Sequence, residues 1–590
     1  MVEACHFSCG LPAPLPTMAR RLPAFMHLIR PRSPAASRPG SARSASLTRR
    51  AAPLQWAALM RTAWMGAVLI VTAGLAGVAN AATPADKPLV YCTDASPEGF
   101  DPGLWDSAST NNVNNQIFQG LVRFERGGTA LQPALATHWE ISPDARVFTF
   151  HLRPGVHFQQ RPWFTPTRDF NADDVLFTFG RFLQPDHPFN KAFPATFIYP
   201  QNLGLAKAVA SMEKLGPLTV RFTLHQPNVT FLSYFAMAFA GIQPAEYGAQ
   251  LLREGQASQI NRLPVGTGPY RFRSYAKDDV VRMEANPDYW GPPQKTRRLI
   301  FTISREAAVR VQKLLAGECQ ITSPLRDIDV AALDRHADRI RLMKIQALNI
   351  SYLSFNLRKP PTNNRLVREA LDIAVDRDAI FRALFPRGDA MQAVNPFPPA
   401  IPGYNTRLRN EYNPARAREL LRQAGYPDGL DIDLWALPVT RPTNPNGQLM
   451  AQLIQQDWAR IGVRAQIRTY EWGEYLKRAN AGEHSVYMSG WSGESGDADD
   501  FLSPNLSCAT NKTGVKFCNA DFERLIDTAR ATPDAARRIA LYEQAQEIFK
   551  RERPWITMAH STVYIPTSLD LRGFRMQPNG GVVFENVYRE

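Results

Sequence analysis

The chain of 590 residues lacks the short motifs that mark most enzyme classes. There is no H-E-x-x-H, no phosphate-binding P-loop and no G-x-G-x-x-G turn, so metalloprotease, nucleotide-hydrolase and dinucleotide chemistry find no support. GTGPY at Gly266 to Tyr270 reads as a strand-entry turn. The nearest approach to a nucleophile elbow, GWSGE, has Glu494 where G-x-S-x-G needs glycine. A secreted hydrolase is the rival class, and no motif proposes one. Histidine is scarce: eight of the ten follow residue 81, scattered, and His484 beside Glu483 has no second ligand at helical spacing. A nickel-binding role is disfavoured by the same scatter. After residue 82 there is no internal repeat, no low-complexity linker and no basic run interleaved with aromatics.

What is present begins with a change of composition. Residues 1–59 are rich in Arg, Pro, Ser and Ala and show no sustained hydrophobic period, so this extension is read as disordered or as an over-extended reading frame. An organelle-targeting leader is the alternative, since the stretch is Arg-rich and acid-poor. From Met60 the text becomes a signal peptide over residues 60–81, with Arg61, an apolar run from Ala63 to Ala79, and small residues at Ala79 and Ala81 for cleavage. As a membrane anchor that run is at the short limit for spanning. No cysteine follows it at the cleavage point, so no lipid anchor is expected and the exported product should be free of the membrane. Residues 1–81 hold nine Arg and one Glu, a net +8 of the chain's +14, which leaves +6 on the 509 residues that follow. Nucleic-acid binding thereby loses its main support.

Cysteine is equally sparse. Cys5 and Cys9 leave with the leader, and Cys92, Cys319, Cys508 and Cys518 remain. An even number behind an export signal suggests two disulfides, and the ten-residue spacing favours Cys508 with Cys518 and Cys92 with Cys319. A four-cysteine zinc site lacks finger spacing.

Strand-like runs alternate with amphipathic helices through the rest of the chain, which argues an α/β architecture of more than one lobe. RVFTFHLRPGVHF reads as strand, turn, strand. NADDVLFTFGRFL reads as a helix capped by Asn171, with Val175, Phe179 and Phe182 on one face. Further helices fall in RLVREALDIAVDRDAIFRALF, QLMAQLIQQDWARIGV and ARRIALYEQAQEIF. LDIDLWAL, a helix from about Gln448 to Ile461 and RAQIRTYEW form a β-α-β unit with parallel strands.

The loop GWSGESGDADDF gathers Glu494, Asp497, Asp499 and Asp500 among glycines. As an EF-hand beginning at Asp497 it fails, because Cys508 stands where a glutamate is required. Asp497, Asp499 and Asp500 read as a solvated acidic turn or as carboxylates that shape the turn. Glu494, beside Trp491 and two glycines, reads as a partner for a ligand's ammonium group. Arg441, in a Pro- and Asn-rich loop just after a strand, suits a carboxylate.

LVYCTDASPEGFDP, PWFTPTRDFNADDVLFTFGR, PVGTGPY, GECQ, ALPVTRPTNPN, TYEWGEYLKRA, GWSGESGD and the pair Cys508 and Cys518 occur in that order. Together they resemble the oligopeptide, dipeptide and nickel solute-binding family of bacterial ABC importers, over essentially the whole chain from Leu89. The resemblance implies a two-lobed α/β periplasmic binding protein fold, closing like a flytrap, of the large peptide-binding type with an extra subdomain in lobe I. Lobe I would be residues 82–345 with 565–590 returning to it, and lobe II residues 346–564. It implies the same two disulfides. It also implies a non-enzymatic, monomeric protein that delivers a small peptide to an inner-membrane ABC permease. Arg441 would hold the peptide carboxylate and Glu494 its ammonium, with further contacts from Asp106, Ser107, Ala108, Trp491, Ser492 and Gly493. Two departures stand in the same cleft: Glu494 replaces an aspartate, and Thr443 a tyrosine, of the family's dipeptide binders. No cofactor is implied. Haem is the alternative ligand, non-covalent because C-x-x-C-H is absent, and glutathione is another peptide-like candidate. If the leader reading is right, N-terminal sequencing of the exported protein should begin at Ala82; a start upstream of Met60 would refute it.

Overall fold

The computed structural model describes residues 87–590, apart from positions 106, 326, 389 and 509–515. The expectations for residues 1–81, and Asp106 among the candidate contacts, lie outside these described residues.

Local sequence rules hold where their physical cause is strongest. Asn171 caps the helix Ala172–Leu183 by accepting from the Asp173 amide, and Asp174 accepts in return from the Asn171 amide at 2.9 Å. Two orphan donors are thereby satisfied. Val175, Phe179 and Phe182 are buried beneath that helix. They pack on an antiparallel sheet ordered Ala136–Ile141, Val147–Leu152, Thr219–Leu224, Val209–Gly216. Edge contacts among Phe179, Phe222 and Phe235, with centroids 4.9 to 5.2 Å apart, make the core of this smaller subdomain.

The stretch RVFTFHLRPGVHF forms one strand rather than two. Val147–Leu152 already pairs on both sides, with Ala136–Ile141 and Thr219–Leu224, so no ladder edge is left for the chain beyond Gly155. Val156 and Phe158 are buried there instead, and the Val156 carbonyl accepts from Phe170 at 2.8 Å. The run RLVREALDIAVDRDAIFRALF splits into the helices Arg365–Ile373 and Arg377–Leu384, the second capped by Asp376. The β-α-β unit forms as expected: Leu430–Trp435 and Val463–Arg468 are parallel neighbours in register from Leu430↔Val463 to Trp435↔Arg468, joined by the helix Gly447–Ala459.

A twelve-stranded mixed sheet runs through both lobes. One half holds Leu89–Thr93, Arg298–Ile303, Val280–Ala285 and Tyr270–Ala276; the other holds Asn349–Phe355, Val486–Ser492 and the β-α-β strands. The strand Trp555–Ser568 belongs to both. Its residues from Thr562 to Ser568 pair with Ile340–Gln346, and those from Trp555 to Ala559 pair with Asn349–Phe355. Separate apolar clusters flank this crossing, one around Tyr91, Phe301 and Phe584, the others around Trp435 and Trp458 and around Phe501 and Phe522. The fold is thus two-lobed α/β with an additional subdomain. Cys92, in the strand Leu89–Thr93, is bonded to Cys319, in the turn just before the parallel strand Ile321–Thr322, with Cα atoms 5.9 Å apart, and Cys508 to Cys518 at 4.5 Å.

At the crossing His560 is fully buried, its Nδ1 2.7 Å from the Asn349 carbonyl. Burial pushes this imidazole down to about 4, against about 6.5 in an unfolded chain. The unfolded state therefore takes up the proton first, so stability present above pH ~6.5 is lost as pH falls toward ~4, by about 2 kcal/mol at pH 5. Asp372 titrates lower: burial raises it, but Arg377, Lys550 and Arg553 outweigh that and hold the carboxyl at about 2. The stability lost between pH 7.5 and pH 5, read from urea midpoints, should be about 2 kcal/mol smaller in His560→Asn than in the wild type. Equal losses would show that protons reach this side chain within the fold.

Candidate ligand-binding site

A cleft of about 290 Å³ contains Ala108, Asn114, Arg123, Tyr199, Glu494 and Asn579 among its walls. Its contributors come from the N-terminal part of the chain, the acidic loop and the returning C-terminal segment.

The helix Ala108–Ile117 supplies one wall. Ser107 is its N-cap: the hydroxyl accepts from the Thr110 amide at 3.3 Å and donates to Glu98 at 2.5 Å. Its side chain is thus committed to the cap, while Ala108 faces the cleft. Below the helix, Gly268 donates to the Ile117 carbonyl at 2.8 Å, and a Cβ at Gly266 would overlap that same oxygen. GTGPY is therefore the strand-entry turn expected, and its glycines let the helix end rest on the backbone. Asn114 lies in the cleft wall only 1% exposed, and neither amide atom has a partner among the described residues. Unsatisfied buried amides are costly, so this side chain is a natural contact for a polar ligand. Nothing in the sequence singled it out among its neighbouring asparagines.

The acidic loop is built from its own carboxylates. Asp500, at the start of the helix Asp499–Leu506, accepts from the Glu494 and Ser495 amides at 2.6 and 3.0 Å and from the Ser495 hydroxyl at 3.2 Å. Burial raises its carboxyl above the usual range against those bonds. Asp497 is paired with Arg538 and accepts from Tyr542 at 3.3 Å, and Asp499 is 3.3 Å from Arg530. The three aspartates are therefore partnered rather than solvated, which corrects the solvated reading and keeps the one in which they shape the turn. Gly493 donates to the Leu348 carbonyl at 2.7 Å, and a Cβ there would enter the Phe501 ring. Glu494 is left facing the cleft, where Tyr199 donates a hydrogen bond to its carboxylate and Asn579 donates to its carbonyl at 3.4 Å. Tyr199, stacked on Phe239 at 5.8 Å, sits in a helix almost three hundred residues earlier. No sequence signal joins the two.

The structure brings Glu494 and Ala108 into one cleft, and Arg441, Thr443, Ser107, Trp491, Ser492 and Gly493 are not among its lining residues. Arg441 and Asn444 close a tight turn through two backbone bonds of 3.0 and 2.9 Å. The exposed guanidinium donates to the Thr440 carbonyl at 3.0 Å and lies 5.3 Å from the Trp472 ring. Thr443 is buried, and its carbonyl accepts from Ser351 at 2.8 Å. Ser351 pairs with Gly490 and Ile350 with Trp491, so the Arg441 turn and the strand leading to Glu494 share one end of the sheet. Trp491 is half-buried against the neighbouring core, and Ser492 is exposed. Among groups that bind haem iron, the cleft lining offers Met237, Tyr199 and Tyr289 but neither histidine nor cysteine among the described residues.

A two-lobed α/β fold with a polar cleft lined by Glu494, Glu585, Arg123, Arg126 and several amide side chains, and without a P-loop, is the arrangement of a solute-binding protein rather than of a nucleotide or nucleic-acid binder. Residues 130–513 match the model for bacterial extracellular solute-binding proteins, family 5. The chain belongs to that family. It is 44% identical over 528 residues to di/tripeptide-binding protein 1 of Pseudomonas aeruginosa, covering 89% of this chain and 97% of the relative. It is 40% identical to heme-binding protein A of Haemophilus influenzae, covering 86% and 93%. Among solved structures it is similar to a dipeptide-binding protein of Pseudoalteromonas sp. SM9913 in complex with Met-Leu, with TM-score 0.70, 34% identity, and coverage of 85% and 100%. No helix of the described residues is long and apolar enough to cross a membrane.

Gly493→Ala should destabilise the protein by about 1–3 kcal/mol, because the added methyl group must displace the Phe501 ring or the loop. Urea denaturation measures it, and an unchanged midpoint would mean that the loop is free to move.

Proposed function

We propose that this protein captures dipeptides or similarly small peptides in the periplasm and presents them to an inner-membrane ABC permease, without catalysis. Glu494 would hold the ammonium terminus and Arg441 the carboxylate. Ser107, Ala108, Thr443, Trp491, Ser492 and Gly493 would frame the space between. The lobes would be residues 82–345 with 565–590, and residues 346–564. The protein would act as a monomer freed from its signal peptide, with no cofactor and no nucleic-acid partner.

The observation that carries this reading is Glu494: its loop aspartates are all consumed in bracing, and its carboxylate alone in that loop lines the cleft. Arg441 makes no ion pair among the described residues, so its guanidinium is available to an incoming carboxylate. The di/tripeptide-binding relative and the neighbour holding Met-Leu support the ligand class. Dipeptides differ in side chains but share two charged termini at fixed separation. A site that grips both ends and leaves polar, hydrated walls tolerates many sequences. The heme-binding relative keeps haem as the second reading.

Calorimetry with Ala-Ala, a tripeptide and glutathione should show binding near micromolar for the preferred ligand, roughly 8 kcal/mol. Loss of one partner of a buried charge pair costs about 2–5 kcal/mol, so Glu494→Gln should weaken binding at least ~30-fold. Arg441→Ala should abolish selectivity for free over C-terminally amidated dipeptides. Dipeptide affinity unchanged in Glu494→Gln, or equal losses for free and amidated ligands in Arg441→Ala, would overturn the assigned roles. A visible absorption band on mixing with hemin, with no heat on adding dipeptide, would favour haem.

A further inference from the structure

The sheet of the smaller subdomain carries a cluster that peptide capture does not use. His138 and His151 are cross-strand partners on Ala136–Ile141 and Val147–Leu152, and Glu140 lies two residues from His138 on the same face. Their rings are stacked with centroids 4.2 Å apart, and His151 Nε2 is 3.3 Å from Glu140 Oε1. One ligand atom from each of the three lies within 4.8 Å of the others. Phe148 and Phe150, on the opposite face, are buried in the core, so the cluster stands on the solvent side.

The neighbouring Thr137 fixes the protons. The strand register shifts between Ala136 and His138, which leaves Thr137 at a bulge. Its hydroxyl donates its single proton to the His151 carbonyl at 3.1 Å, so toward His138 Nδ1, also at 3.1 Å, it accepts. The His138 proton is then on Nδ1, and the Nε2 lone pair points outward. That tautomer, oriented by a neighbouring oxygen, leaves Nε2 free to bind a metal ion.

We propose that His138, His151 and Glu140 form a binding site for a first-row divalent transition-metal ion such as Zn²⁺. Two imidazoles and one carboxylate are a suitable donor set, with the fourth tetrahedral position open to water. Bond lengths of ~2.1 Å place tetrahedral ligands about 3.4 Å apart, which these side chains reach by modest rotation of their outer torsions. Along the row of Glu140 the cross-strand neighbours are Thr149, then Arg221, then Glu213, so a cation and an anion both stand on that row beyond the site. The sequence hides the group because its histidines are thirteen positions apart and meet only through antiparallel pairing. None of the three lines the cleft that holds Glu494, so metal and peptide binding are separable.

The test is titration of the chelator-stripped, exported protein with ZnCl₂, by calorimetry and by competition with a chromophoric chelator. One equivalent should bind in the micromolar range. His138→Ala and His151→Ala should each weaken it at least ten-fold, and Thr137→Val several-fold at unchanged stoichiometry. Dipeptide affinity should stay as in the wild type throughout. The wild-type thermal midpoint should rise by a few degrees with saturating Zn²⁺, a shift that His138→Ala removes. No binding by the wild type, or binding of equal affinity by the His138→Ala/His151→Ala double variant, would overturn the proposal.

Discussion

The strand Trp555–Ser568 is the constraint on which the two-lobed arrangement rests, because its fourteen residues supply ladder bonds to both halves of the large sheet. A strand that serves two lobes cannot run as one flat ladder if the lobes are to differ in orientation. The break falls between Gln346↔Thr562 and Ser351↔Ala559, and one side chain fills it. Asn349 donates to the Ser561 hydroxyl at 2.8 Å and accepts from the Ser561 amide at 3.0 Å, while its own carbonyl meets His560. The backbone groups that lose ladder partners are thereby satisfied without extending the pleat. A neutral, buried imidazole at that point keeps charge out of the crossing, which a protonated one would not.

From that crossing the acidic loop inherits its position. Asn349–Phe355 pairs with Val486–Ser492, and the Gly493 amide then bonds to Leu348, immediately beside the crossing. The loop is locked from behind by the long helix Ala535–Glu552 through Arg538 and Tyr542, and by Arg530. These partners hold Asp497 and Asp499, Asp500 binds the Glu494 and Ser495 amides, and together they stiffen the backbone that carries Glu494. A glutamate has one more methylene than aspartate, and from this backbone position its carboxylate reaches Tyr199 of the smaller subdomain. On the peptide-capture reading, a ligand ammonium would compete with or share that tyrosine. On that reading the longer arm would couple the smaller subdomain to the ligand in a way an aspartate would not.

Much of the fold was legible because its causes are local. Asn171 followed by Asp174 closes a capping box whatever surrounds it, and the alternation of LDIDLWAL with an apolar helix leaves parallel pairing as the short solution. Errors arose where a distant partner decided. The segment after Gly155 had strand chemistry but no free edge, and the aspartates looked solvated because Arg530 and Arg538 lie some thirty to forty residues on. The candidate site was legible in part for the same reason. Glu494 stood out by its glycine and tryptophan neighbours, whereas Tyr199, Asn114 and the His138–His151 pair acquire meaning only when remote segments meet.

The character of the cleft follows from how its charges are disposed. Arg123 is paired with Glu585 at 3.1 Å, and Tyr289 donates to the same carboxylate at 2.9 Å, while Arg126 in the same wall donates to the Gly573 carbonyl at 2.6 Å. Asn114 and Asn579 offer amide groups that can donate or accept, which suits a peptide bond in either sense. Thr443 is buried with its carbonyl engaged by Ser351, so where a tyrosine ring would need room the turn beside Arg441 stays slim. Under the proposed function, discrimination would come from the two charged ends, and the amide-lined wall would adapt through water to the side chains between. Such a division favours breadth over tightness, since water-bridged contacts tolerate change while each charge-assisted bond demands a fixed partner.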